Sequence, residues 1–384
     1  MVVSRKWLLN FGFMALAAPV GLAVILAALH MLGAINIWIY PLVHIGIFCL
    51  FGGTSCLVAA QVVDSRPSRT EPNSRRRRQL GWGLAILLVS LNFPAYLLSY
   101  HMTHVRLPGQ IGIGVPRPTH AQLPSDRGLF YATRTIPISQ SRWIETWEIP
   151  AQTLEARGTV LLFPGNLGTK SSQLISPAQS FAQMGFNTVL MDFQGVGGSS
   201  GSTVTLGVKE AQDVVTVFND INNRNAVQST QDSGRENTPV ILYGVSMGTA
   251  AILRAIATYD ITPDAIILEL PFVRLLDAVR SRLRYHKIPT APTASLMIFW
   301  ASIQHGINGF SHNPISYAKA VNCPTLVIHG EQDKWTPVED IEALVNSIPA
   351  SKQLVLSADA GHHQLIGVDR PLWDASVGNF LNNI

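Results

Sequence analysis

Between Trp7 and Val63 there is no Asp, Glu, Lys or Arg, and the run from Gln79 to Val105 is equally free of them: both stretches are instead apolar. A water-soluble domain does not leave so many consecutive residues uncharged, so these stretches need a lipid environment. Charged residues are scarce throughout, at 14%, against roughly a quarter in an average soluble domain. Cysteine is nearly missing: Cys49, Cys56 and Cys323 are too few and too scattered for a disulfide framework or a Cys-based zinc cluster, and no redox chemistry is indicated. A nucleic-acid face is excluded as well. The net charge of +4 comes from residues 1–105, which hold eight Lys/Arg and two Asp/Glu, leaving twenty and twenty-two for the remainder. Disorder and collagen-like structure do not fit a chain that is 47% hydrophobic.

The uncharged runs divide into Trp7 to Leu29, Ile35 to Ala60 and Leu80 to Tyr100, of 23, 26 and 21 residues. Each is about 30 Å or more as a helix at roughly 1.5 Å per residue, enough to cross a bilayer. Residues 1–105 are therefore expected to be a membrane anchor of three transmembrane helices. Trp7, Trp38, Tyr40, Trp82 and Tyr100 fall near the ends, where amphipathic rings favour the interface. A cleaved signal peptide is the rival reading of the first run, but its apolar stretch is too long and further spans follow. Arg5 and Lys6 precede span one, and Arg66, Arg69 and Arg75 to Arg78 separate spans two and three, so both segments are expected on the cytoplasmic side. The chain is then a multi-pass protein of a plasma or inner membrane, with an extracytoplasmic domain after Tyr100.

Residues 106–128 carry Pro and Gly repeatedly and read as a linker. From 129 to 384 the pattern is that of one α/β domain. Strand candidates are Tyr131 to Ile138, Trp143 to Ile149, Thr159 to Phe163, Asn187 to Asp192, Val240 to Tyr243, Ala265 to Leu270, Thr325 to His329 and Gln353 to Leu356. Helical segments such as Val208 to Ile221 and Val338 to Ser347 separate the later ones, which implies βαβ units, a mainly parallel eight-stranded sheet, and ligands at the carboxyl ends of its strands. The polar stretch Asn222 to Thr238 reads as a surface loop.

Val240-Ile241-Leu242-Tyr243 runs into Gly244-Val245-Ser246-Met247-Gly248, and small residues follow. A serine between a strand and a helix, with glycines two residues to either side, is the pattern of a nucleophile elbow. Its hydroxyl needs a base, and the base needs a carboxylate to fix its tautomer. Asp333 follows the strand Thr325 to His329, with Glu331 and Asp359 as competing carboxylates. The base comes from Ala360-Gly361-His362-His363, where the residues alone leave His362 and His363 both open. The chain order Ser, Asp, His is that of α/β-hydrolases.

On these residues the chain resembles the α/β-hydrolase superfamily, and especially its membrane-anchored serine hydrolases of the BEM46-like or serine-aminopeptidase-like type. The matching pieces are Pro164-Gly165-Asn166, Asp192-Phe193-Gln194-Gly195-Val196-Gly197-Gly198-Ser199, the Ser246 elbow, His329-Gly330-Glu331-Gln332-Asp333 and Gly361-His362. The resemblance implies Ser246 as nucleophile, His362 as general base and acid, Asp333 as the orienting carboxylate, and an oxyanion hole from the backbone N–H groups of Met247 and Asn166. Relatives usually have His-Gly where this chain has Pro164-Gly165, and Arg where it has Gln194.

Other patterns carry less. Asp192 and Ser199 read as braces of a turn. Gly165 to Ser171 has the wrong glycine spacing for a phosphate loop, Ser200 stands where a dinucleotide fingerprint needs its third glycine, and so no nucleotide cofactor is implied. His101 and His104 lack further ligands for a metal. About fifty residues, 271–321, separate two core strands and read as a small helical cap. The expected function is hydrolysis of a carboxylic ester or thioester by an acyl-enzyme route, with lipid or acyl esters as substrate class, membrane lipid as partner and no cofactor or metal. A peptidase or amidase of the same fold, and a catalytically silent envelope scaffold, are the alternatives. Oligomeric state is left open.

Overall fold

The computed structural model describes residues 73–231 and 238–384. The first two expected spans, Trp7 to Leu29 and Ile35 to Ala60, lie outside the described residues. The chain forms two units, one comprising residues up to His101 with Pro108–Ile113, the other Met102–Leu107 with Gly114–Ile384.

In the first unit, helix α1 (Asn73–Thr103) covers the third expected span and continues through Pro94. Its segment Gly83–Thr103 is the one helix among the described residues long and apolar enough to cross a membrane. Thr103 itself falls in the second unit.

Among the described residues of the second unit, eight strands form one sheet: β1 (Ala132–Ser139), β2 (Arg142–Ile149), β3 (Gly158–Phe163), β4 (Phe186–Met191), β5 (Val240–Val245), β6 (Ala265–Glu269), β7 (Thr325–Gly330) and β8 (Lys352–Ser357). Their spatial order is β8-β7-β6-β5-β3-β4-β2-β1. Strand β2 is antiparallel to both neighbours, and the strands from β4 to β8 pair in parallel. The sheet is thus mixed, with a parallel core and an antiparallel hairpin at one edge.

The apolar runs have a direct cause in this arrangement. Every residue of β3, β5, β6 and β7 is buried, because helices cover both faces of a parallel sheet. Alternation along β3 divides the core: Leu161 and Phe163 join one apolar cluster, Val160 and Leu162 the other. The first cluster takes residues of α3 (Glu210–Gln231), α4 (Met247–Tyr259) and α7 (Val338–Asn346), and the second takes residues of α2 (Ile175–Gln183) and α8 (Arg370–Leu381). Between β6 and β7 the chain forms α5 (Leu275–Tyr285) and α6 (Thr293–His305), so the long insertion is helical.

Two readings of polar segments change. Helix α3 continues to Gln231, so residues 222–231 are helical and not loop; residues 232–237 lie outside the described residues. Asp220 supports this extension by pairing at 3.2 Å with Arg224, one turn on. In segment 106–128, Val105–Arg106 pairs in parallel with Val115–Pro116, and Arg117 donates hydrogen bonds to the carbonyls of Val196, Gly197, Ser199 and Gly201. Proline and glycine frequency carries no signal for such long-range anchoring.

Candidate active site

Strand β5 ends at Val245, and α4 begins at Met247, so Ser246 alone makes the turn. It does so at φ 48° and ψ −106°, a backbone conformation that costs free energy in a non-glycine residue. The flanking glycines allow it. A Cβ at Gly248 would stand 2.5 Å from the carbonyl oxygen of Phe163, and one at Gly244 would stand 2.8 Å from the backbone of Gly248. The Ser246 N–H donates to the carbonyl of Glu269 at 2.8 Å, which fixes the turn to the end of β6.

The sheet's carboxyl edge also supplies the two partners. Asp333 sits in the turn after β7, where its Oδ1 accepts from the N–H groups of Trp335 at 2.7 Å and Thr336 at 3.3 Å. Its Oδ2 lies 2.7 Å from Nδ1 of His362, in the loop after β8. Nε2 of His362 lies 3.1 Å from the Ser246 hydroxyl oxygen. Ser246, His362 and Asp333 are therefore joined in one hydrogen-bonded line, and Asp333 is buried. His363 lines the same cleft, but the imidazole in line with Ser246 is that of His362. Glu331 and Asp359 are exposed.

Burial alone would raise the Asp333 carboxyl. The hydrogen bond and charge of His362, with the Trp335 N–H and His329, outweigh it and hold the group below its ordinary value. An ionised carboxylate only accepts, so Nδ1 of His362 carries the proton and Nε2 is left to accept from the serine hydroxyl. His329, also buried, is pushed below the usual histidine range chiefly by desolvation, and its Nε2 lies 3.0 Å from the Thr336 carbonyl. The Trp335 ring stacks on His362 with centroids 4.8 Å apart.

Asn166 lines the cleft with Ser246, and Met247 follows Ser246 directly. Met247 is the first residue of α4, so its N–H has no acceptor within the helix. Asn166 follows β3 in a loop that comes close to the serine: a Cβ on Gly165 would stand 3.4 Å from Cβ of Ser246. Gln173 clamps that loop by accepting from the Gly165 N–H at 2.6 Å. Residues Gly165, Asn166, Ser246, Arg282, Trp335 and His362 help to line a cleft of about 330 Å³.

Three contributors have no signature in sequence. Gln173 is one. Glu269 is another: its buried carboxylate accepts from the Leu365 N–H at 2.5 Å, from Trp373 Nε1 at 3.2 Å and from the Tyr243 hydroxyl. Through its own carbonyl it holds the Ser246 turn, and through its side chain it holds the loop that follows His362, so one residue sets both positions. Burial raises its carboxyl above the ordinary range. Lys170 is the third. Fully buried, it donates to Glu145 at 2.7 Å and to Asp192, and its backbone N–H donates to Asp192 Oδ1 at 2.8 Å. His120, Glu145 and Asp192 gather closely enough to hold a metal ion, but the cation among them is this ammonium group. Gln194 turns to Asp213, donating at 2.7 Å through its amide. As the sequence suggested, Ser199 braces a turn, donating to the Asp192 carbonyl at 2.6 Å.

Residues 154–314 match the family model described as serine aminopeptidase, S33. An uncharacterized protein of Bacillus subtilis, YqkD, is 25% identical over 206 residues, covering 53% of this chain and 65% of its own. The lysophosphatidylserine lipase ABHD12 of Xenopus tropicalis is 26% identical over 202 residues, 51% of this chain and 48% of its own. The chain thus spans about half to two thirds of the length of these relatives. Among solved structures, the Pyrococcus furiosus esterase Pf2001 superposes with a TM-score of 0.53 at 20% identity, over 70% of this chain and 98% of the esterase, a likeness of fold. The strand order and the strand-to-helix serine turn are those of an α/β-hydrolase fold, and the family match, the lipase relatives and the esterase structure support membership of that superfamily.

Proposed function

We propose that the chain is a membrane-anchored serine hydrolase that cleaves a carboxylic ester or thioester through Ser246, His362 and Asp333. The observation that carries this reading is the unbroken line from Asp333 Oδ2 to His362 Nδ1 at 2.7 Å and from His362 Nε2 to Ser246 Oγ at 3.1 Å. The esterase and lipase names among the similar proteins support the same class.

In this reading Ser246 Oγ attacks the acyl carbonyl carbon while His362 Nε2 takes the hydroxyl proton. The imidazolium that forms is stabilised by Asp333. The backbone N–H groups of Met247 and Asn166 face the oxygen on which negative charge develops; one such donor contributes about 10²- to 10³-fold in rate. His362 then gives its proton to the departing alcohol or thiol, leaving an acyl-Ser246 ester. Water, deprotonated by His362, attacks that ester and restores the serine.

Membrane attachment is supported by the apolar helix Gly83–Thr103 and by the uncharged runs before it. The basic segments flanking those runs support a cytoplasmic N-terminus and an extracytoplasmic hydrolase domain. A periplasm- or lumen-dependent reporter fused at Ile384 is expected to be active, and activity of a cytosol-dependent one would contradict that topology.

The family description favours a second reading, cleavage of an aminoacyl amide. Turnover of p-nitrophenyl esters of increasing acyl length, measured beside aminoacyl p-nitroanilides, separates the two. Ester turnover that disappears in Ser246→Ala is the expected result; turnover of amides alone would move the protein to the peptidase class.

A further inference from the structure

We propose that Arg282 makes the cleft selective for esters that carry an anionic group, a phosphate or a carboxylate, beside the scissile bond. The inference rests on the ester-hydrolase reading above and names its substrate class.

Helix α5 of the insertion bears Arg280, Arg282 and Arg284, with Arg274 just before it. Three of these are accounted for by neighbours at the surface. Arg274 and Arg280 pair with Asp277, Arg274 also approaches Asp340, and Arg284 donates to the Ser281 hydroxyl. Arg282 differs. It lines the cleft together with Ser246 and His362, and among the described residues no carboxylate lies within ion-pair distance of it. Its guanidinium lies 4.2 Å from the centre of the Trp335 ring, and Nη1 donates to the Ala278 carbonyl at 3.1 Å.

A guanidinium has five N–H donors in a planar fork, and the Ala278 carbonyl occupies one of them. Burial lowers Arg282 to about 10, against the opposing pull of Asp333, so the group is still charged at neutral pH. A half-buried cation with no carboxylate in ion-pair distance is costly, and in a ligand cleft a substrate anion can offset that cost. Stacking on an aromatic ring leaves the edge of the fork free for bidentate bonding to phosphate or carboxylate, which a lysine cannot reproduce. Trp335 in turn stacks on His362, so an anion held by Arg282 would lie near the reacting carbonyl. The competing explanation is that Arg282 only supports Trp335 and Asp333.

The test uses the full-length chain in a non-ionic detergent. Hydrolysis of 1-lauroylglycerol is compared with that of 1-lauroylglycerol 3-phosphate, the same ester with one phosphate added. A second pair, p-nitrophenyl hexanoate and the mono-p-nitrophenyl ester of adipic acid, carries a carboxylate on the acyl side instead, so the preferred pair identifies the anion together with the side of the ester that bears it. The native protein is expected to favour an anionic member by about 10- to 100-fold in kcat/KM, as one or two charge-assisted hydrogen bonds would give. Arg282→Gln should bring the ratio to within about threefold, and Arg282→Lys should give an intermediate value. Equal rates for both members in the native protein, or a fall in Arg282→Gln that is the same for both, would overturn the inference.

Binding separates this inference from the reaction on which it rests. Ser246→Ala is expected to bind 1-lauroylglycerol 3-phosphate about tenfold more tightly than 1-lauroylglycerol, measured by isothermal titration calorimetry, and Ser246→Ala with Arg282→Gln to lose the difference. If no ester is turned over and the binding difference persists, the hydrolase reading fails and the anion site stands. If esters are turned over and binding shows no difference, the anion site fails alone.

Discussion

The second unit holds two histidine–aspartate pairs with the same 2.7 Å contact, His362 with Asp333 and His120 with Asp192, each joining a buried carboxylate to a partly exposed imidazole. In both, burial would raise the carboxyl, and the histidine hydrogen bond helps to hold it below its ordinary value. What lies beyond the imidazole distinguishes them. His362 gives Nδ1 to the carboxylate and turns Nε2 to the Ser246 hydroxyl in an open cleft. His120 places Nε2 against Asp192 and, at 3.1 Å, against the Lys170 ammonium group, in a cluster closed by Glu145 and Trp147. A histidine–aspartate pair becomes a base only when its second nitrogen faces a hydroxyl that substrate can reach. The other pair is part of a brace in which Lys170 ties the end of the Asn166 loop to β2, to the residue after β4 and to His120.

The largest difference between the two should be seen at Ser246. Ser246→Ala is expected to lower kcat on an activated ester by about 10⁶-fold without loss of folding, checked by steady-state kinetics and circular dichroism. Asp333→Asn should lower kcat by about 10⁴-fold, because the amide no longer fixes the proton on Nδ1 of His362. The brace responds in stability. Lys170→Met leaves Glu145 and Asp192 facing each other without their cation and should cost about 3–5 kcal/mol in urea unfolding. Asp192 has its carboxyl depressed in the native fold, so the stability it contributes is present above about pH 4 and is lost as pH falls through the depressed value. The deficit of Lys170→Met should therefore be greatest near neutral pH and shrink in acid; a pH-independent deficit would show that charge is not its cause. The smallest effect is expected for His120→Ala, with kcat within a few-fold of the native value. A collapse of kcat comparable to that of Asp333→Asn would erase the distinction between the two pairs.

The two regions also differ in how far they can be read from sequence. Ser246, Asp333 and the His362-His363 pair each follow an apolar strand, and a parallel sheet brings the ends of its strands to one edge, so local pattern and chain order point to a serine, a carboxylate and one of two histidines, and the family resemblance singles out His362. Choosing between His362 and His363 was not local, since one residue along a loop turns a side chain elsewhere. Lys170 and Glu269 were invisible because burial of a charge has no sequence period; their partners come from distant segments, as in the bonds of Glu269 to Leu365 and Trp373. The polar composition of residues 222–231 suggested a loop because an exposed helix end needs little apolar surface.

Mass spectrometry of the chain after reaction with a fluorophosphonate tests the central claim most directly. The account predicts one phosphonyl adduct, on the Ser246 hydroxyl, formed rapidly by the native protein and at least about 10³-fold more slowly by His362→Ala. A folded protein that takes no label at Ser246, or takes it equally fast without the imidazole, would contradict it.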